Sequence, residues 1–149
     1  MKKSILDFRP MVERGEKIVW LTGYDYLTAK YEERAGVDMI LVGDSLGNVL
    51  LGYDTPYPVP LEDMLIHCQA VRRGAPDTLV IGDLPYMSYQ ISDAQAVANA
   101  GRFTKEALCD ALKLAGGRAE LCTRIPPIAP AGILPFGPAG MTQQSHAQM

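Results

Sequence analysis

The sequence has no excess of basic residues, no long apolar run and no paired cysteine motif. Its 14 Lys and Arg against 17 Asp and Glu give a formal net charge of −3, so we expect no nucleic-acid partner. No apolar run approaches the roughly 20 residues of a membrane span, and the first residues lack the apolar segment of an export signal. Its cysteines, Cys68, Cys109 and Cys122, lack Cys-x-x-Cys spacing. We therefore expect a cytoplasmic protein with reduced thiols and no membrane partner.

The sequence contains two apolar segments that each end in Gly-Asp. The first covers residues 37–43 and is followed by Asp44, and the second covers residues 78–82 and is followed by Asp83. Strands buried in a parallel sheet have this composition, because both of their faces are covered. The carboxyl ends of such strands lie along one rim, where α/β proteins carry their chemistry. We therefore expect Asp44 and Asp83 to converge there as a metal site.

Strand and helix patterns alternate along the chain. Strands are predicted over residues 17–22, 37–42, 78–83, 111–114 and, interrupted by Pro135, 132–136; helices are predicted over residues 4–15, 26–35, 61–74, 93–108 and 118–125. Asp25 is expected to cap the second helix, with Leu27, Tyr31 and Ala35 as its apolar side. The short connections imply parallel strands with right-handed crossovers.

This alternation predicts an α/β protein with the rhythm of a barrel. It gives about four and a half βα units, whereas an eight-stranded (β/α)8 TIM barrel takes ~250 residues. We therefore expect one domain over residues 1–149, a truncated barrel of about four to five βα units. Prolines crowd the last quarter of the chain, so residues 126–149 are expected to be irregular.

Several motifs in a fixed order resemble one family. They are Gly23-Tyr24-Asp25-Tyr26, residues 41–47, His67 with residues 73–76, residues 82–87, residues 113–117 and residues 140–145. Together they look like ketopantoate hydroxymethyltransferase, also called 3-methyl-2-oxobutanoate hydroxymethyltransferase, of pantothenate biosynthesis. The resemblance covers essentially the whole chain but only the amino-terminal half of the family's barrel.

The resemblance implies a Mg²⁺-dependent transfer of a hydroxymethyl unit. The family moves it from the cosubstrate 5,10-methylenetetrahydrofolate to 3-methyl-2-oxobutanoate, which gives 2-dehydropantoate. A hard cation suits this chemistry, because removing a proton beside a ketone leaves charge on the ketone oxygen. By the family's motifs, Asp44 and Asp83 are the metal ligands. Asp44, Ser45, Asp83 and Lys113 bind the keto acid.

Two positions depart from the family's motifs, and one role has no counterpart. The family reads Lys-hydrophobic-Glu-Gly-Gly, with a metal-associated glutamate, where this chain has Ala115. Pro138 stands where the family has a histidine near the substrate. The general-base glutamate belongs to the other half of the family's barrel, so no catalytic residue is assigned in this chain. We expect weakened metal binding and impaired transfer, since base catalysis alone is typically worth ~10²–10⁴-fold.

Three hypotheses follow from these residues. The first is a transferase of this family with a shortened chain. The second is a non-catalytic half-barrel that pairs with itself as a homo-oligomer or with a full-length relative, because open strand edges favour association. The third is an enzyme like phosphoenolpyruvate mutase and isocitrate lyase, which also combine Mg²⁺ and a keto acid in a barrel. His67 and the tyrosines, Tyr53, Tyr57, Tyr86 and Tyr89, are interpreted as packing groups.

Overall fold

A computed structural model describes residues 2–115 and 125–137. Its helices are α1 (Ile5–Glu13), α2 (Tyr26–Arg34), α3 (Leu46–Val49), α4 (Leu61–Gly74), α5 (Asp93–Glu106) and α6 (Ile125–Ile128), and a 3-10 turn covers Ala129–Ala131. Its strands are β1 (Trp20–Thr22), β2 (Met39–Val42), β3 (Leu79–Leu84), β4 (Ala111–Leu114) and β5 (Pro135–Phe136). The helix predicted over 118–125 and Cys122 fall mainly or wholly outside the described residues.

All five strands are parallel and form one sheet in the order β1-β2-β3-β4-β5. Sequential neighbours joined by helical crossovers are the pattern of an α/β barrel, and the predicted α/β fold is confirmed. One face of the sheet packs on the crossover helices in the larger core. The other face packs on α1, whose Phe8 and Met11 join Met39, Ile81 and Ala111 in a second core.

The sheet curves strongly across its width. Trp20 of β1 and Phe136 of β5 belong to strands at opposite ends of the sheet order, yet their ring centroids lie 6.3 Å apart in an edge-on contact. In an eight-stranded barrel, odd-numbered strands send side chains into the same interior layer, and β1 faces β5 across the interior. The five strands therefore follow an arc of a barrel.

Helix termini follow the local chemistry of the sequence. The Asp25 carboxylate accepts hydrogen bonds from the backbone N–H groups of Leu27 and Thr28, which confirms it as the cap of α2. Ser92 caps α5 by accepting from the N–H of Gln95. The side chain of Gln95 accepts in return from the N–H of Ile91, one residue before the cap. These caps fix where α2 and α5 start above the strands.

The predicted apolar side of α2 is wrong. Leu27, Tyr31 and Ala35 are exposed, and the buried residue of this helix is Ala29. Ala29 faces α4, where a Cβ placed on Gly74 would lie 3.0 Å from the Ala29 Cβ. The helix therefore contacts its neighbour through its smallest side chain, since close helix packing needs small residues at the contact. Its larger apolar residues point the other way.

Of the irregularity expected over residues 126–149, the structure describes residues up to 137. This part contains the end of α6, the 3-10 turn and β5, and the backbone N–H of Leu112 donates to the Leu134 carbonyl at 2.9 Å. Pro135 lies opposite Leu112 in the last strand of the described sheet, where its missing N–H is tolerated. None of the helices in the described ranges combines the length and the apolar character needed to cross a membrane.

Gly82 lets α5 pack directly on β3, which gives a test of this packing. A Cβ at Gly82 would lie 2.5 Å from Phe103 Cδ1 and 3.2 Å from Cys68 Sγ. Gly82→Ala is therefore expected to destabilise the fold by about 1–3 kcal/mol in a urea titration. Gly101→Ala, inside α5, is the control, because no atom lies within 4 Å of a Cβ placed on Gly101. This substitution should stabilise the helix by ~0.5–1 kcal/mol. Equal stability of the two variants would contradict this packing.

Candidate active site

Three neighbouring strands bring the predicted acidic residues and Lys113 together. Asp44 lies in the turn that follows β2, as predicted. Asp83 lies inside β3, not after it, because the strand continues to Leu84. Its register partner on β4 is Lys113. Cross-strand partners in a sheet have adjacent side chains, so the pairing of β3 with β4 places the Asp83 carboxylate beside the Lys113 ammonium.

Asp83 and Lys113 form a buried ion pair at the rim. Lys113 Nζ donates to Asp83 Oδ2, and the two side chains are 19% and 1% exposed respectively. The backbone N–H of Asp44 lies 3.4 Å from the same oxygen. The Asp44 side chain is buried as well. The site thus contains two carboxylates and one fixed positive charge in a region with little water.

The second oxygen of Asp83 has no hydrogen-bond partner among the described residues. Oδ1 is buried, and a buried polar atom without a partner is costly. Mg²⁺ prefers oxygen ligands such as this carboxylate oxygen, and it is commonly held by one or two carboxylates together with substrate and water. The residues present therefore fit a magnesium ion. In the described ranges, no three His, Cys, Asp or Glu residues group as a complete metal site.

Burial controls the charge state of Asp83. It raises the pKa of this carboxyl to about 7, the Lys113 ammonium opposes the rise, and the nearby Asp44 charge adds to it. The raised value reflects the cost of burying two acids together, only partly offset by one lysine. A second positive charge in the site would stabilise the ionised form of both acids.

Ser45 is held in place by a tyrosine that the sequence reasoning did not select. The hydroxyl groups of Ser45 and Tyr24 share a hydrogen bond of 2.9 Å. His67 of α4 donates through Nδ1 to the Tyr24 carbonyl oxygen at 2.6 Å. His67 therefore anchors the loop after β1, and Tyr24 orients Ser45. Tyr24 follows the end of β1 by two residues, which indicates that it lies near the rim but does not identify Ser45 as its partner.

Ala115 directly follows β4 and is contacted by Tyr89 from the segment between β3 and α5. The Tyr89 hydroxyl donates to the Ala115 carbonyl oxygen at 2.8 Å, and burial together with the charges of Asp83 and Asp44 raises the pKa of this phenol. Tyr89 is fully buried, as expected for a packing residue. The side chain of Ala115 is a methyl group and supplies no oxygen ligand. Pro138, the other departure from the family's motifs, lies outside the described residues.

Two loops over the rim contact each other through aromatic rings. Tyr57, in the proline-rich segment before α4, packs on Tyr86, in the loop after β3, with ring centroids 4.7 Å apart. The ring of Tyr53 packs against Gly47, since a Cβ placed on Gly47 would lie 3.5 Å from Tyr53 Cδ2. These contacts agree with the packing interpretation of the tyrosines.

An arc of parallel strands with two acids, a serine and a lysine at its carboxyl rim defines the chain as part of an α/β-barrel enzyme fold. The chain belongs to the ketopantoate hydroxymethyltransferase family, whose model matches residues 2–149. Curated proteins named 3-methyl-2-oxobutanoate hydroxymethyltransferase are similar over nearly all of the chain. The one from Alkaliphilus metalliredigens is 55% identical over 148 residues, or 99% of this chain and 52% of that protein. The one from Thermus thermophilus is 46% identical over 149 residues, 100% of this chain and 56% of that protein.

Solved structures share the fold at low sequence identity. A 2,3-dimethylmalate lyase of the PEP mutase/isocitrate lyase superfamily matches with a TM-score of 0.67 and 18% identity, covering 92% of this chain and 51% of that one. A phosphonopyruvate hydrolase solved with oxalate and Mg²⁺ matches with a TM-score of 0.70 and 12% identity, covering 89% and 50%. The chain therefore spans about half the length of both its curated relatives and its structural neighbours.

Proposed function

We propose that this chain binds Mg²⁺ and 3-methyl-2-oxobutanoate at the rim formed by Asp44, Ser45, Asp83 and Lys113. This rim is one part of a site for transferring a hydroxymethyl unit from 5,10-methylenetetrahydrofolate, with 2-dehydropantoate as product. The buried Oδ1 of Asp83, which has no hydrogen-bond partner among the described residues, is the observation that carries the proposal, because such a carboxylate oxygen can bind a cation. Family membership supplies the substrate class.

Each residue has a physical role in this proposal. Asp44 and Asp83 hold the Mg²⁺ ion through oxygen ligands. When bound, the ion would supply positive charge against the negative charge that develops when a proton beside a ketone is removed. Lys113 keeps an ammonium within the rim, where it neutralises Asp83 and attracts the acid group of the keto acid. Ser45 offers a hydroxyl oriented by Tyr24.

The isolated chain is proposed to bind without appreciable turnover. Ala115 replaces the metal-associated glutamate of the family motif, and the general base of the family has no counterpart in this chain. The second hypothesis, a half-barrel that self-associates, is favoured for the isolated chain by the exposed strand β1. We propose that the protein is cytoplasmic, because the two described cysteines, Cys68 and Cys109, are buried free thiols, as is usual in a reducing compartment.

A binding titration tests the proposal. The chain is titrated with Mg²⁺ and with 3-methyl-2-oxobutanoate, each alone and in the presence of the other, by calorimetry. Keto-acid binding is expected to require Mg²⁺. Asp44→Asn should weaken Mg²⁺ binding by about tenfold or more, because a neutral amide replaces one of two charged ligands. Asp44 suits this test because its backbone N–H contact with Asp83 survives the substitution.

Asp54→Asn is the matched control, because it removes an exposed carboxylate from a rim loop outside the site. It should leave both affinities unchanged. Keto-acid binding that does not depend on Mg²⁺, or equal Mg²⁺ affinities of the two variants, would contradict the proposal.

A further inference from the structure

Cys68 and Cys109 form a pair of thiols that the proposed function does not use. Both are free cysteines buried in the larger core. Cys68 lies in α4 and Cys109 lies in the segment between α5 and β4, so the two residues are distant in sequence. Their thiol groups nevertheless share a hydrogen bond. The fold therefore brings two sulfur atoms into contact.

Arg72 of α4 holds the segment that carries Cys109. Its guanidinium donates to the carbonyl oxygen of Leu108 at 3.1 Å and to the carboxylate of Asp110, the residues on either side of Cys109. Arg72 lies four residues after Cys68, so the two side chains share one face of α4. The helix face that carries Cys68 is therefore the face to which the Cys109 segment is fixed.

The two thiols differ in their access to solvent. Cys68 is fully buried against β3, where a Cβ on Gly82 would lie 3.2 Å from its Sγ, and burial raises the pKa of this thiol. Cys109 is 4% exposed and follows Leu108, which is 61% exposed and has a φ of 54°. A leucine in this left-handed region is strained, so the segment is suited to local opening. Cys109 is thus the thiol that a small solute reaches first.

We propose that Cys68 and Cys109 are a dithiol site that a peroxide closes to a disulfide. Cys109 attacks hydrogen peroxide, a sulfur–oxygen bond forms, the oxygen–oxygen bond breaks, and the released hydroxide leaves as water with the Cys109 proton. Cys68 then attacks the sulfenic acid of Cys109, the disulfide forms, and the sulfenic hydroxyl leaves as water with the Cys68 proton. The two thiols together lose two electrons, and the peroxide is reduced to water.

The contact between the two sulfur atoms gives this site its use. A sulfenic acid without a neighbouring thiol is oxidised further to sulfinic acid, which is irreversible for most proteins. Cys68 captures the sulfenic acid before that step, and a small dithiol returns the disulfide to two thiols by exchange. Disulfides in reducing compartments are usually transient ones of this kind. The proposal does not depend on Mg²⁺ or keto-acid binding.

A trapping experiment on the folded chain tests the proposal. The full chain carries Cys122→Ser, which leaves Cys68 and Cys109 as its cysteines. It is treated with hydrogen peroxide and dimedone, a reagent that captures sulfenic acids, and is then alkylated, digested and analysed by mass spectrometry. We expect a disulfide-linked pair of peptides from within one chain and little dimedone adduct. Dithiothreitol should restore both thiols.

A serine variant separates capture by Cys68 from simple oxidation of Cys109. Cys68→Ser in the same chain removes the second thiol, so the dimedone adduct of Cys109 should rise by about tenfold or more, because an adjacent group reacts far faster than a dissolved one. Equal amounts of adduct with and without Cys68 would overturn the proposal. So would a disulfide that joins two chains, or a folded parent chain in which peroxide oxidises neither thiol.

Discussion

Replacing Lys113 with methionine is expected to lower the free energy of unfolding by about 3 kcal/mol, because it leaves a buried carboxylate without its countercharge. Asp83 is 1% and Lys113 19% exposed, so water does little to replace the lost ammonium. Asp44 adds repulsion once the lysine is gone. Methionine keeps an unbranched side chain of similar length, which limits the loss of packing. The measurement is a urea titration with EDTA at pH 9, about two pH units above the pKa of about 7 that Asp83 has beside Lys113. Loss of the lysine raises this pKa further, so the difference from the parent chain should grow as the pH rises above 7.

Two further variants separate the buried pair from a general loss of charge. Combining Lys113→Met with Asp83→Val removes both charges and should recover most of the stability, since replacing a whole buried pair is often neutral. Arg102→Met breaks two surface ion pairs, one with Glu106 on α5 and one with Glu62 on α4, and should have a far smaller effect. A Lys113→Met chain as stable as the Arg102→Met chain would show that the rim pair is solvated.

The acidic rim was predictable from the sequence because it depends on strand ends. An apolar run followed by Gly-Asp marks where a buried strand ends, and parallel strands put those ends on one side. Asp44 needed only this rule. Asp83 needed the register of β3 against β4, which determines that it faces Lys113. Periodicity places a residue near a rim, but only the pairing of strands decides which side chains touch.

The face of α2 and the role of Tyr24 could not be obtained from local patterns. An i, i+4 spacing of apolar residues normally marks the buried side of a helix, but Leu27 and Tyr31 are exposed because the contact with α4 is made by Ala29. The bond from Tyr24 to Ser45 joins loops after different strands, a contact 21 residues apart in sequence. Neither loop alone contains a signal for it.

Introducing a carboxylate at Ala115 is expected to raise the affinity of the chain for Mg²⁺. The position follows β4 directly, and its backbone carbonyl is held by Tyr89 near the acidic pair, so Ala115→Glu adds an oxygen ligand at the rim. Changes to groups that only support metal ligands alter affinity by ~10–100-fold, and a direct ligand should do at least as much as the lower value. Calorimetric Mg²⁺ titration of the two chains measures the difference.

Two other variants decide whether the gain comes from coordination. Ala115→Gln adds nearly the same volume without a charge, so an equal gain would assign the effect to packing. Ala131→Glu adds the same charge at an exposed position far along the chain and should leave the affinity unchanged, because surface charges are screened by salt. A gain in Mg²⁺ affinity confined to Ala115→Glu would mean that the new carboxylate coordinates the ion as a third acidic ligand. Hydroxymethyl transfer by the isolated chain should stay negligible even then, because added metal affinity does not supply the family's general base.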